Sequence, residues 1–342
     1  MRIALDATYS LGEALSGVGL YSREILLGMA AAHPEVGFDY CYRAHRYPRS
    51  WRETLPRNAR RRLLAEPWGP RTAGLFHGLN QRLPRLPMRR AVATFHDLFV
   101  MTGEYSSPEF RERFTAQARD AAERADIIIA VSEFTKSQVV SLLPVEARKV
   151  RVVHHGVRGP ALPGIARGKV ILNVGAIQKR KNIARLVEAF ESVDKEWQLV
   201  LAGSAGYGSA EILERIERSP ARSRIRVLGY VSAAELAAEY ARAEILAFPS
   251  LDEGFGMPVI EAMAAGAAVL TSNGSALAEV AGDAALLVEP QDMAAIRDGL
   301  REMTENAELR AELRQRGTAR ARLFSWEKAV RETWEVYREL LG

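Results

Sequence analysis

Two glutamates, Glu253 and Glu261, bracket the run Gly254-Phe255-Gly256-Met257-Pro258. The apolar residues ending at Phe248 read as a strand. The glycines read as a tight turn, and Pro258 sits where proline favours the opening of a helix. Glu253 then falls in the loop and Glu261 in the first turns of the helix. A turn of this kind offers the backbone N–H groups of Gly254, Phe255 and Gly256, and a helix N-terminus favours an anion such as a diphosphate. Two carboxylates around it suit a ligand with hydroxyls on both sides of a diphosphate, as in a nucleotide sugar. The spacing alone is weak evidence, because with 32 glutamates in 342 residues such a pair arises by chance about three times. The plainer alternative is a solvated turn residue at 253 and a dipole-complementing one at 261. The intervening Gly-Phe-Gly-x-Pro is what favours the ligand.

Other segments carry chemistry of the same kind. Lys179-Arg180-Lys181-Asn182 follows Val174-Gly175 and either neutralises a diphosphate or forms a solvated basic turn before a helix. Ser16-Gly17-Val18-Gly19 lies between the first strand and first helix, where glycines let a backbone approach a phosphate or make a plain tight turn. His96-Asp97 ends the apolar strand Ala91–Phe95 and faces whatever lies beyond the sheet's C-terminal edge; lone histidines are more often structural. His154-His155-Gly156 reads as a structural turn, and His33, His45 and His77 have no informative context. Gly203 to Gly208 fails the dinucleotide spacing and reads as a loop. The ten aspartates contain no Asp-x-Asp pair, and no cluster has metal-ligand spacing. Neither a bound metal nor another cofactor is expected.

The elements that must position these residues alternate. Strands are expected at 2–6, 91–95, 126–131 and 150–153, with helices from about 19–32, 108–124 and from Ser132. After the Pro- and Gly-rich stretch 158–168, strands at 170–174, 198–202, 225–228, 245–248 and 268–271 alternate with helices at 183–192, 211–218, 233–241 and 258–265. A last helix covers 326–341. This is the pattern of α/β parallel sheets covered on both faces. The chain is long enough for two such domains, and 48% hydrophobic with 26% charged residues excludes a disordered or fibrous chain. No apolar stretch reaches the roughly 20 residues of a membrane span. The single cysteine, Cys41, excludes an internal disulfide framework and suits a reducing cytoplasm. The net charge of +5 conceals an imbalance: residues 1–165 carry +8 and the remainder −3. Eleven arginines between Arg49 and Arg90 face only Glu53 and Glu66. They form either a surface for an anionic partner, such as a phosphorylated acceptor or acidic membrane, or a solvated basic face. No nucleic-acid motif accompanies them.

The segment Phe248 to Gly266 resembles the donor-binding signature of the retaining family 4, or group 1, glycosyltransferases. Val174 to Asn182, Leu228 to Val231, Thr271 to Asp283 and Asp126 to Phe134 resemble further family segments in the same order, and only residues 34–90 are without likeness. The resemblance implies a GT-B fold, two doubly wound Rossmann-like domains facing a cleft. Residues 1–160 would form the acceptor-side domain and 161–325 the donor domain. Residues 326–342 would be a helix that crosses back onto the first, with Trp326 and Trp334 as packing anchors. It further implies that Glu261 binds the nucleotide ribose, that Glu253 contacts the donor sugar beside Gly254, Phe255 and Gly256, and that Arg180 and Lys181 hold the diphosphate. Gly175, Tyr230 and Val231 would line the donor site, Gly17 and Gly19 would approach the donor phosphate, and His96 with Asp97 would face the acceptor. Many relatives carry arginine where this chain has Ala176. The expected reaction is metal-independent, retaining hexosyl transfer, best matched to GDP-mannose, onto a saccharide or lipid-linked saccharide by a cytoplasmic protein, peripheral at the inner membrane face through Arg49–Arg90. Alternatives are a UDP- or ADP-sugar donor, a nucleotide-sugar epimerase, and a non-catalytic nucleotide-sugar-binding module.

Overall fold

The strands at the centre of each sheet are buried along nearly their whole length and are mostly apolar, as suits parallel strands covered on both faces. A computed structural model describes residues 1–12, 15–65, 69–70, 72–159 and 164–342. Part of the stretch expected to be a linker (160–163), together with Glu66 and Arg71 of the basic region, lies outside the described residues. The chain divides into two units: 1–102 with 107–156 and 325–342, and 103–106 with 157–324. The division falls between 156 and 157, four residues before the expected boundary, and the last helix belongs to the first unit.

In the first unit, β1 (Arg2–Asp6) leads to α1 (Gly17–Ala32), whose start Ser16 caps by accepting from Gly19 N at 3.3 Å. Then follow β2 (Gly37–Arg43), a single turn α2 (Tyr47–Ser50), β3 (Ala59–Leu64), β4 (Leu75–Gly78), β5 (Ala91–Phe95) and a second short turn α3 (Phe99–Thr102). Pro108 opens α4 (Pro108–Arg124) behind the Ser107 cap. After β6 (Ile127–Ala130), Ser132 caps α5 (Glu133–Leu142), and β7 (Val150–Val152) completes a seven-stranded parallel sheet in the order β3-β2-β1-β4-β5-β6-β7.

β2, β3 and β4 were not expected from the sequence. The Arg60-Arg61-Arg62 run of β3 has the composition of a loop. It is held in the sheet by Asp39 of β2, fully buried, which takes Arg60 at 2.6 Å, Arg2 at 3.0 Å and Arg62 at 3.8 Å.

The second unit repeats the plan. β8 (Gly168–Val174), α6 (Ile183–Phe190), β9 (Gln198–Ala202), α7 (Ser209–Glu217), β10 (Ile225–Gly229), α8 (Ala233–Arg242), β11 (Ala243–Phe248), α9 (Met257–Ala264) and β12 (Ala268–Ser272) follow the expected alternation. α10 (Ser275–Ala281), β13 (Leu286–Val288), α11 (Met293–Glu305) and α12 (Ala307–Ala321) extend it beyond that expectation. The sheet is again parallel, in the order β10-β9-β8-β11-β12-β13. Its core packs Leu186, Phe190, Trp197, Ile216 and Leu300 against the strands. α13 (Trp326–Leu341) returns to the first unit and packs on α1 at Gly28, where an added Cβ would lie 2.4 Å from Val330.

Candidate functional site

In a doubly wound sheet, ligands bind beyond the C-terminal ends of the strands where the winding reverses. In the second unit that point lies between β8 and β11. The loops leaving these two strands contain Gly175 to Lys181 and Pro249 to Gly256. The geometry that joins them starts with glycine. A Cβ on Gly203 would fall 1.9 Å from the Gly175 carbonyl oxygen, so only glycine lets the loop after β9 lie against the loop after β8. Ile177 N then donates to Ser204 O at 2.8 Å and Gly206 N to Ile177 O at 2.9 Å. Asn182, in the left-handed region at φ 59°, donates to Pro249 O at 3.0 Å and Pro290 O at 2.7 Å, fixing the end of the basic turn against the loop after β11.

These braces put three charged side chains together. Glu253 Oε1 lies 2.6 Å from Lys181 Nζ, 2.8 Å from Arg180 Nη1 and 2.6 Å from the Ser250 hydroxyl. All three charged groups are buried, between 7% and 8% exposed. Arg180 also donates to Asp252 O, and the Lys181 ammonium lies 4.5 Å from the centre of the Phe248 ring. Burial alone would raise the Glu253 pKa, but the adjacent Arg180 and Lys181 overcome it and hold the carboxyl down at about 2. The alternative of a solvated basic turn fails for Arg180 and Lys181. It holds for Lys179, which is exposed and paired with Glu211 at 2.9 Å. The two buried cations thus converge on one carboxylate oxygen of the protein, through short charge-assisted contacts.

Gly175 has φ +133°, and a Cβ there would come 3.1 Å from Lys181 Cε, so the glycine makes room for the lysine stem. Gly254 and Phe255 are buried beyond Glu253, with the Phe255 ring edge-on to Phe324 at 5.8 Å. Gly256, at φ +101°, precedes α9, and any side chain there would strike Leu277 at 2.5 Å. Glu261, half-buried on α9, accepts from the Tyr240 hydroxyl at 2.7 Å, and burial raises its pKa despite that bond. Tyr230 is 61% exposed just past β10, with Val231 half-buried beside it.

The other candidates lie in the first unit. Gly17 opens α1 in open space, whereas a Cβ on Gly19 would meet Tyr9 O at 2.8 Å, so packing alone requires glycine at 19. His96 follows β5 and is buried; its Nε2 lies 3.0 Å from Leu79 O and its Nδ1 3.4 Å from His155 Nε2. A carbonyl can only accept, so Nε2 of His96 carries the proton and Nδ1 is the acceptor. Burial lowers the His96 pKa to about 4, and the Tyr21 ring stands edge-on to it at 4.8 Å. Asp97 is half-buried at the same strand end. His77 Nδ1 meets the Tyr337 hydroxyl at 2.6 Å and Nε2 meets Thr94 at 2.8 Å, with Tyr21 completing the chain at 2.9 Å.

Sequence reasoning did not single out Ser250 or Tyr240, read His155 as part of a structural turn and found no context for His77. Ser250 could have been noticed, since it directly follows Pro249 at a strand end. The others are placed by partners too distant in sequence for a local pattern. Among the described residues, no group of three or more His, Cys, Asp or Glu side chains could hold a metal ion.

Residues 163–320 match the family model described as glycosyl transferases group 1, and residues 29–158 match glycosyltransferase family 4. The O-antigen chain mannosyltransferase B of Escherichia coli is 32% identical over 78% of this chain and 74% of its own length. The serotype-specific mannosyltransferase WbdA of Escherichia coli is 28% identical over 74% of this chain, which covers 34% of that longer protein. Among solved structures, sucrose-phosphate synthase of Thermosynechococcus elongatus superposes with a TM-score of 0.78 at 21% identity, covering 99% of both chains. HepE of Anabaena in complex with UDP and glucose superposes at 0.77 and 16% identity, covering 99% of this chain and 100% of that one.

Proposed function

The chain belongs to the group 1, family 4 glycosyltransferases of GT-B fold, and from that premise we propose that it is a retaining mannosyltransferase using GDP-mannose without a metal. The observation that carries the reading is the convergence of Arg180 and Lys181 on Glu253 Oε1, 2.8 and 2.6 Å away, at the switch point of the second sheet. Two fixed cations in a buried setting are suited to the negative charge that develops on a departing nucleoside diphosphate. Glu253 holds them in place and stays ionised beside the donor sugar. Glu261 takes the ribose, with Tyr230 and Val231 towards the base and the Gly254–Gly256 turn along the sugar hydroxyls. In the transfer, the bond from the sugar C1 to the diphosphate oxygen breaks and a bond from C1 to the acceptor oxygen forms on the same face. The acceptor proton passes to the departing diphosphate. We further propose that Gly17 and Gly19 contact a phosphate and that His96 and Asp97 position the acceptor. His96, neutral through burial, serves as a hydrogen-bonding group.

The mannose assignment is supported by the mannosyltransferase relatives. We further propose that the acceptor is a saccharide or lipid-linked saccharide met at an acidic membrane surface. Trp51 is 65% exposed between exposed Arg49 and Arg52, with Arg61 4.9 Å from its ring, a composition suited to a lipid interface. Binding to vesicles that is indifferent to anionic lipid and salt rejects that part.

Calorimetric titration with GDP, UDP, ADP and their hexose conjugates, with EDTA present, tests the whole. Selective binding of GDP and GDP-mannose is expected. Preference for UDP or ADP overturns the donor, and no binding to any overturns the site. Glu253→Ala should lower turnover by about 10²-fold or more, while Glu261→Ala should mainly weaken donor binding. Equal affinity losses with unchanged turnover would reverse the role given to Glu253.

A further inference from the structure

The first unit contains a second cluster of arginines, Arg43 with Arg82 and Arg85, the last two from the basic stretch Arg49–Arg90. A cavity of about 440 Å³ opens beyond the C-terminal ends of β2 and β3, lined by Arg43, Arg82, Arg85, Gln117 and Asp120 over a floor that includes Leu83. This is the edge of the sheet at which a parallel α/β fold receives ligands.

The charges of this unit show why the cavity stands apart. Arg2, Arg60 and Arg62 share the single buried carboxylate of Asp39. Asp120, the one carboxylate lining the cavity among the described residues, is already paired with Arg124 at 3.0 Å. Arg43 shares Asp6 at a long 3.5 Å, and its Nε is buried with no hydrogen-bond partner. Arg82 and Arg85 have no ion-pair partner among the described residues. The cavity therefore holds an excess of positive charge on guanidinium groups, whose planar forks match phosphate oxygens. Gln117 adds a neutral donor, and the apolar floor can take the face of a sugar ring.

We propose that this cavity seats a phosphate or diphosphate group carried by the acceptor. A phosphomonoester brings about −1.5 to −2 charges at neutral pH, which complements Arg82 and Arg85. The acceptor role rests on the function proposed above; the anion site itself does not. The same chemistry is available from a soluble sugar phosphate and from a membrane-borne polyprenyl diphosphate.

The test uses the full chain and inorganic pyrophosphate, titrated calorimetrically into a Lys181→Met variant so that the donor site contributes little. One saturable site is expected. Adding Arg82→Gln and Arg85→Gln should weaken it at least tenfold; Arg85 is exposed and Arg82 half-buried, so the fold should tolerate both changes. Unchanged affinity, or no saturable site before those substitutions, overturns the proposal. The nucleoside diphosphate affinity of an Arg82→Gln/Arg85→Gln chain with Lys181 intact should equal that of the wild type. If the wild type binds no nucleotide sugar, the proposed function fails while the pyrophosphate result still judges the cavity. Mannose 1-phosphate in solution and a polyprenyl diphosphate in neutral phospholipid vesicles separate the two sources. Binding of either that the Arg82→Gln/Arg85→Gln pair abolishes supports the proposal and names the source; binding of neither overturns the acceptor role.

Discussion

Replacing Glu253 by glutamine preserves the outline of the loop after β11 and removes only its charge, so the worth of the Arg180–Glu253–Lys181 cluster can be measured directly. The Glu253 carboxyl is held at about 2, against 4.5 for a glutamate in water. A gap of that size corresponds to about 3 kcal/mol favouring the ionised form in the folded state, at about 1.4 kcal/mol per unit. The side chain is 8% exposed, so solvent screens little of this. For a unit of this size each kcal/mol moves the midpoint by about 2–4 °C, so the transition of the second unit should fall by roughly 6–12 °C at pH 7. Differential scanning calorimetry reads it. Because the folded pKa lies below the unfolded one, the advantage of the wild type over Glu253→Gln is complete above pH 4.5. It shrinks as the pH falls from 4.5 towards 2. Adding Lys181→Met to Glu253→Gln removes one uncompensated cation and should recover part of the loss. A Glu253→Gln chain as stable as the wild type at pH 7, with no change in the gap below pH 4.5, refutes the electrostatic reasoning.

Other predictions concern packing and protons. His96 and His77 are held neutral by burial, at about 4 and about 3. With folded values below the usual 6.5, the unfolded chain binds more protons, so stability should be flat above about pH 6.5 and fall on acidification towards pH 4, by about 3 kcal/mol for each histidine, as followed by denaturant titration. Gly203→Ala should cost at least about 4 kcal/mol, since the new Cβ meets Gly175 O at 1.9 Å and neither backbone can yield; a melt matching the wild type contradicts it. Tyr337→Phe removes the partner of His77 Nδ1 at 2.6 Å and should destabilise the first unit by about 1–3 kcal/mol, the cost of a buried polar group left unpaired. Measured by calorimetry, it should leave the second unit's transition unmoved.

Local pattern and long-range pairing explain what the sequence revealed. β1, β5 and β8 to β12 were legible because their apolar runs and flanking turns lie within a few residues of each other. The loop chemistry at Glu253, Arg180 and Lys181 was legible for the same reason. β3 was not, because its arginines make sense only once Asp39, on a neighbouring strand, is known to be buried among them. His77 offered no clue because its partners are Thr94 and Tyr337, 17 and 260 positions away. Gly203 read as an ordinary loop glycine until the Gly175 carbonyl was placed against it.

The return of α13 to the first unit has a consequence for the order in which the protein is made. Residues 157–324 are an insertion: the first unit is interrupted at 156 and resumes only at 325. At about 5–20 residues per second, a ribosome takes on the order of 10–30 s to cross that interval. During this time the α1 face that receives Val330, the His77 ring awaiting Tyr337 and the Gly156 backbone that lies against Trp326 are all uncovered. The inserted unit is completed while the unit begun first still lacks its final helix. The face of α1 around Gly28 that receives Val330 therefore stays uncovered until the last turns of α13 emerge.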